Sequence, residues 1–392
     1  MTLIFNKAKL IFMSISKKIF IASSGLLAIS LILWGVYSFS FKKPTITRSM
    51  PTEKKNEPAV ITPKVSASNK IMSVSDEAVV APVLTPDKTA IKYYAKKTGK
   101  VFKIDLDGNN KKTVNSAELD GLSAVVWSPD TTKVISRFDV AEKSRFFYYD
   151  YTTKKGTQLK ENLDTVVWQK DNKILYKYFE PKTKERSLNI ADPDGSKWLK
   201  ITDFDFRYVS IAPVPKTGLL SFWNFPDAFS ETVFQSAPIA GGEKKVLFAG
   251  KFGADYLWNQ DGSLILISSS PEKASYNIQL GIANDRGGEY KNLEIPTFIS
   301  KCAWSKDNKT VYYALPGNIP ASSILPNDYM DKKFFSADTF WKVNTATGEK
   351  ARIIDLDKIA GAYDATNLFL NADESMLFFI NRTDEKLYKI DL

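Results

Sequence analysis

Chemistry in this chain must be done without histidine. None occurs in 392 residues, and Cys302 is the single cysteine. Ser-His-Asp and Cys-His catalysis, histidine metal sites and internal disulfides are therefore excluded by counting. No GxSxG elbow, P-loop or metal-ligand spacing is present, so no cofactor, metal or catalytic residue is assigned and the chain is expected not to be an enzyme. The DPDG run at Asp192 copies part of a calcium loop but lacks its remaining ligands and distal Glu. Cys302, in KCAW, has no base to activate it and is expected to behave as a small buried hydrophobe.

Loop aromatics and one arginine are the better candidates for contact. DFDFRY supplies Phe204, Phe206, Arg207 and Tyr208, and NFPDAFSE supplies Phe225 and Phe229. GKFGAD adds Phe252 and Asp255, while residues 316–338 add Tyr329, Met330, Phe334 and Phe335. Aromatic and Arg side chains at loop tips are favoured anchors for a protein or envelope partner. The competing reading is that these rings fold back over sheet edges.

A repeat must position these loops. Its first half is an apolar strand, a polar turn and a second apolar strand: VLTPDKTAIKYYA, VVWSPDTTKVISRF, VVWQKDNKILYKYF, IAPVPKTGLLSFW, YLWNQDGSLILIS, CAWSKDNKTVYYAL and LFLNADESMLFFI. The second half, as in KVFKIDLDGNNKKTV, adds another strand, turn and strand. The turn markers Asp87, Asp130, Asp171, Lys216, Asp261, Asp307 and Asp373 lie 43, 41, 45, 45, 46 and 66 residues apart. The last interval holds an insertion at 316–338. Small four-stranded sheets cannot bury both faces alone and must stack around an axis, so the fold class is all-β, a seven-bladed β-propeller of antiparallel blades over 73–392. The final copy stops after its third strand, and IMSV at Ile71–Val74 is expected to supply the fourth and close the ring.

The WSPD at Trp127–Asp130, with WQKD, WNQD and WSKD, resembles the WD-like repeat of TolB-type β-propellers over about 310 residues. The resemblance implies architecture, and frequent export and binding or scaffolding roles. Some relatives are propellers of serine peptidases, but this chain shows no hydrolase domain after the repeats. Pro213 and Pro215 break the signature in the fourth copy, which predicts an irregular inner strand or turn there. Trp127, Trp168, Trp258 and Trp304 recur at one repeat position and are expected to pack between blades.

The formal charge of +10 sits almost wholly before residue 73, where eleven Lys/Arg face two Glu. The repeat region is left nearly neutral, which argues against nucleic acid as a partner. Residues 1–18 form a short basic tail. Residues 19–39 (IFIASSGLLAISLILWGVYSF) run without a charge for the length that a helix needs to span a bilayer and are expected to be a retained signal anchor, a cleaved signal peptide being the alternative. Residues 40–72, rich in Pro, Lys, Thr and Ser, read as a flexible tether. A single-pass protein with an extracytoplasmic propeller follows, acting as a noncatalytic platform for protein, peptide or envelope glycan. The alternative is a glycosidase-like hydrolase using carboxylates in the propeller funnel.

Overall fold

The structure, a computed structural model, describes residues 70–140 and 143–392. The expected anchor at 19–39, its basic tail and the tether up to residue 69 lie outside the described residues. No helix among the described residues is long and apolar enough to cross a membrane.

The described residues form twenty-six strands, paired antiparallel into three sheets of four strands and two of seven. Each larger sheet is held together by one 14-residue strand that serves two four-stranded ladders. In β1 (Ile71–Leu84), Ile71–Ser73 pair with β26 (Lys386–Asp391), whereas Val79–Leu84 pair with β2 (Ala90–Ala95). The expected closure by IMSV is thus present, in register Ile71↔Ile390, and the Leu387 amide donates to Ser75 Oγ at 2.9 Å. The last strand is tied to the first of the described residues, so neither is left as an open edge. In β16 (Lys245–Trp258) the first half pairs with β15 (Glu231–Pro238) and the second with β17 (Leu264–Ser270). The crossover passes Gly253, at φ +55°, where an added Cβ would meet Pro326 Cδ at 2.3 Å. Glycine is required there by both backbone and space.

The turn markers act through their carboxylates. Asp130 accepts from Ser128 Oγ at 2.6 Å and from the Thr132 amide at 3.0 Å, and Thr131 sits at φ +53°. Burial alone would raise the Asp130 carboxyl, but these donors hold it at about 2. The fourth copy lacks this carboxylate. Its turn instead places Lys216 at φ +59° and closes with Thr217 Oγ1 donating to the Val214 carbonyl at 2.9 Å. Its inner strand is regular, which corrects half of the expectation: β13 (Val209–Pro213) pairs with β14 (Leu219–Asn224) without a register shift. An inner strand has a neighbour on one side alone, so the missing amide of Pro213 costs no ladder bond.

Apolar faces meet between neighbouring ladders. Phe378 and Leu387 pack with Ile91 and Tyr93 across the closure, and Leu266 and Ile282 pack with Cys302 and Trp304. Each fully buried Phe or Leu stabilises the fold by about 1.5–3 kcal/mol relative to exposure. The repeated tryptophans add a polar link: the Trp127 and Trp168 indoles donate to the carbonyls of Ala81 and Val126, both at 2.8 Å, and Trp304 to that of Leu257 at 3.3 Å. The thiol of Cys302 is buried and shifted upward by desolvation, as suits a packing residue.

Candidate functional site

The DFDFRY segment lies between β12 (Leu199–Asp203) and β13. Phe204 is buried against Phe222, with ring centroids 6.5 Å apart, and this anchor leaves Arg207 and Tyr208 at the surface. Beside them is Lys177 on β10 (Ile174–Phe179), 2% exposed. Its ammonium donates to the Asp164 carboxylate and to the Arg207 carbonyl. Asp164 belongs to β9 (Leu163–Trp168), an inner strand. Arg186, the first residue of β11 (Arg186–Ala191), stacks its guanidinium 5.1 Å from the Phe179 ring, and Arg207 does the same over Tyr208.

These groups enclose a cavity of about 420 Å³, bordered by Lys177, Arg186 and Arg207 as cations and by Asp164 as a carboxylate. Three cations against one anion suit a ligand carrying a carboxylate or a similar anion, and two guanidiniums offer planar, paired donors. Tyr208, 58% exposed, supplies a ring face at the rim. Sequence reasoning found Arg207 and Tyr208 but missed Asp164, Lys177 and Arg186. The available signal was Lys177 itself, a cation inside the apolar run ILYKYF.

The remaining loop residues divide by exposure. Phe225, Phe229 and Phe335 are exposed, Phe206, Phe252 and Phe334 are half-buried, and Tyr329 is buried. The Phe225 amide donates to the Tyr208 carbonyl at 3.2 Å, joining two loops. The next contact leads to the insertion: Asn327, in the short helix α1 (Asn327–Met330), donates to Asp227 at 2.9 Å and accepts from the Ala228 amide at 2.8 Å. Tyr329 stacks on Phe298 at 4.2 Å and donates to Asp364 at 2.7 Å.

Beneath the insertion, Lys301 joins Asp338 at 2.5 Å and Asp364 at 2.7 Å, with all three side chains fully buried. Arg382 reaches Asp364 at 3.0 Å and the Tyr329 carbonyl at 2.7 Å. Burial pushes both carboxyls upward; at Asp338 it prevails, while Lys301, Tyr329 and Arg382 bring Asp364 below its ordinary value. The network fastens the insertion and gives a ligand no access.

A second carboxylate stands on an inner strand. Burial raises Asp255 to about 6, although the Trp223 indole and the Tyr256 amide donate to it at 3.0 and 3.1 Å. It does not border the 420 Å³ cavity. No group of three His, Cys, Asp or Glu side chains among the described residues could hold a metal ion.

No family model matches the chain, and no curated protein matches it. Solved structures do. An oligogalacturonate lyase in complex with manganese is 12% identical, with a TM-score of 0.58, over 82% of this chain and 93% of that one. The β-propeller domain of the Trilobed protease from Pyrococcus furiosus is 16% identical, with a TM-score of 0.51, over 80% of this chain and 95% of that one. The acylaminoacyl peptidase of Pyrococcus horikoshii is 16% identical, with a TM-score of 0.51, over 80% of this chain but 51% of its own. The manganese of the lyase has no fitting donor set here, since the sequence lacks histidine and the described residues lack a ligand cluster.

These likenesses correct one expectation. The chain was expected not to be an enzyme because it lacks histidine and the familiar motifs, yet it spans 93% of a lyase with this fold. Missing motifs therefore do not remove the chain from the enzymes. At these identities the likeness speaks for architecture. The fold is that of a β-propeller.

Proposed function

We propose that the protein is a membrane-anchored, extracytoplasmic, seven-bladed propeller that takes an acidic saccharide chain at its loop face. The blade count is supported by dividing β1 and β16 between the ladders that each serves, which gives seven units of four strands. The observation that carries the ligand class is the cavity walled by Lys177, Arg186 and Arg207. Its guanidiniums meet a uronate carboxylate, and Tyr208 offers a stacking face to a sugar ring. The anchor reading rests on the uncharged run at 19–39.

Turnover of the held glycan is the second reading, favoured by Asp164 at the cavity and by the fold shared with a lyase that, by its name, acts on oligogalacturonate. As a glycosidase-like hydrolase, the site needs one carboxylate to take a proton from water as it attacks the anomeric carbon. A second carboxyl must give a proton to the departing glycosidic oxygen. Asp164 fits the first role, and no second carboxylate is among the described residues that line the cavity.

The test uses full-length protein in detergent with oligogalacturonate and an uncharged oligosaccharide of equal length. Selective binding of the acidic chain is expected, and new reducing ends that form without the ultraviolet absorbance of an unsaturated uronate and disappear in Asp164→Asn would establish hydrolysis. Equal binding of both chains would overturn the ligand class. Protease digestion of intact and lysed cells tests export, which predicts cleavage of the tether before lysis.

A further inference from the structure

A larger cavity, of about 920 Å³, shares no lining residue with the 420 Å³ cavity and lies between the ladder that begins in β1 and the next one. The second ladder comprises β5 (Leu122–Trp127), β6 (Lys133–Val140), β7 (Lys143–Asp150) and β8 (Lys155–Gln158). Strand alternation places Arg145, Phe147 and Tyr149 on one face of β7, and Ser136 and Phe138 of β6 stand opposite Phe147 and Arg145 on that face. The neighbouring ladder covers this face incompletely. Its outer strand, β4 (Lys112–Asn115), is four residues long, and irregular chain at 116–121 follows it.

The result is an aromatic wall that its neighbour does not seal. Phe138, Phe147, Tyr149 and Tyr151 all line the cavity, and each is half-buried. Where two ladders meet at β16 the equivalent space is filled: Phe234 and Tyr256 stack 4.1 Å apart and are buried. In the open cleft the rings are fixed by edge-to-face pairs, Phe138 with Phe147 at 5.4 Å and Tyr149 with Tyr151 at 5.0 Å. At its inner end the phenols of Tyr94 and Tyr151 lie 2.6 Å apart in a hydrogen bond.

Charge sets what the cleft takes. Lys143 and Arg145, both exposed, border it, and no carboxylate is among the described residues that line it. Aromatic faces accept a flat apolar body, and a guanidinium beside an ammonium accepts an anionic group. We infer that this cleft binds a small planar aromatic carboxylate, its ring body against Phe147 and Tyr149 and its carboxylate on Arg145 and Lys143. The volume is ample for a bicyclic ligand.

The test titrates full-length protein in detergent with 2-naphthoate, and with uncharged 2-naphthalenemethanol as control, by calorimetry. Saturable one-to-one binding of naphthoate is expected. The exposed pair Arg145→Gln with Lys143→Gln should weaken it by about tenfold, the scale of a lost charge-assisted contact, with the neutral control unmoved. Phe147→Leu should weaken both probes, and Arg207→Gln, at the other cavity, should change neither. Absence of saturable binding, or naphthoate affinity indifferent to Arg145→Gln with Lys143→Gln or to Phe147→Leu, would overturn the inference. Circular dichroism of each variant separates lost binding from lost folding.

Discussion

The indole Nε1 of Trp258 donates to Ser221 Oγ at 2.9 Å, and that hydroxyl donates onward to the Ala212 carbonyl at 2.7 Å. In other copies the tryptophan reaches the preceding inner strand without an intermediary. The relay stands at the copy where Pro213 replaces the tryptophan, so one hydroxyl restores a link that the altered copy does not make directly. Ser221 is fully buried.

Ser221→Ala should therefore leave the Trp258 indole N–H unpaired in the interior. The expected cost is about 1–3 kcal/mol. Urea denaturation followed by tryptophan fluorescence reads it directly. A midpoint unchanged from wild type would show that the relay contributes nothing.

Lys301→Met should be more damaging, because it strands Asp338 and Asp364 together in the interior. Breaking a buried ion pair by removing one partner costs about 3–5 kcal/mol. Adding Asp338→Asn should recover part of the loss. Limited proteolysis should cut first within 316–338, since Tyr329 is held by the same network through Asp364. Wild-type resistance in Lys301→Met would contradict this role.

Asp255 gives stability a pH dependence of known sign. Its folded carboxyl is raised to about 6 from an ordinary 3.8, so between these values the native state binds the extra proton. The contribution is complete below the unfolded value and is lost as pH rises through about 6. A loss on the order of 2 kcal/mol between pH 4 and 7 is expected from this group. Asp255→Asn should lack that slope and gain on wild type as pH rises. Parallel stability curves for the two proteins would rule the raised carboxyl out.

Much of the architecture was legible because the repeat writes its turns and interface residues at fixed positions. Asp130 and its counterparts mark hairpins through local hydrogen bonds, and Trp127, Trp168, Trp258 and Trp304 mark the contacts between ladders. The closing strand was legible from a missing fourth strand and an apolar IMSV upstream. Pro213 misled because proline was weighed as a ladder breaker, although an inner strand tolerates it. The loop-face cavity was half-legible: Arg207 and Tyr208 stood out in their loop, whereas Asp164, Lys177 and Arg186 come from three different strands. Their convergence depends on sheet register, which no local motif records.

The central claim is that Lys177, Arg186 and Arg207 select an acidic saccharide. The direct measurement is the affinity of full-length protein and of Arg207→Gln for trigalacturonate, at low and at physiological ionic strength. The account predicts binding that weakens with salt and falls by about tenfold in the variant, as expected for losing one charge-assisted contact to a carboxylate. Affinity equal in the two proteins and indifferent to salt would contradict it.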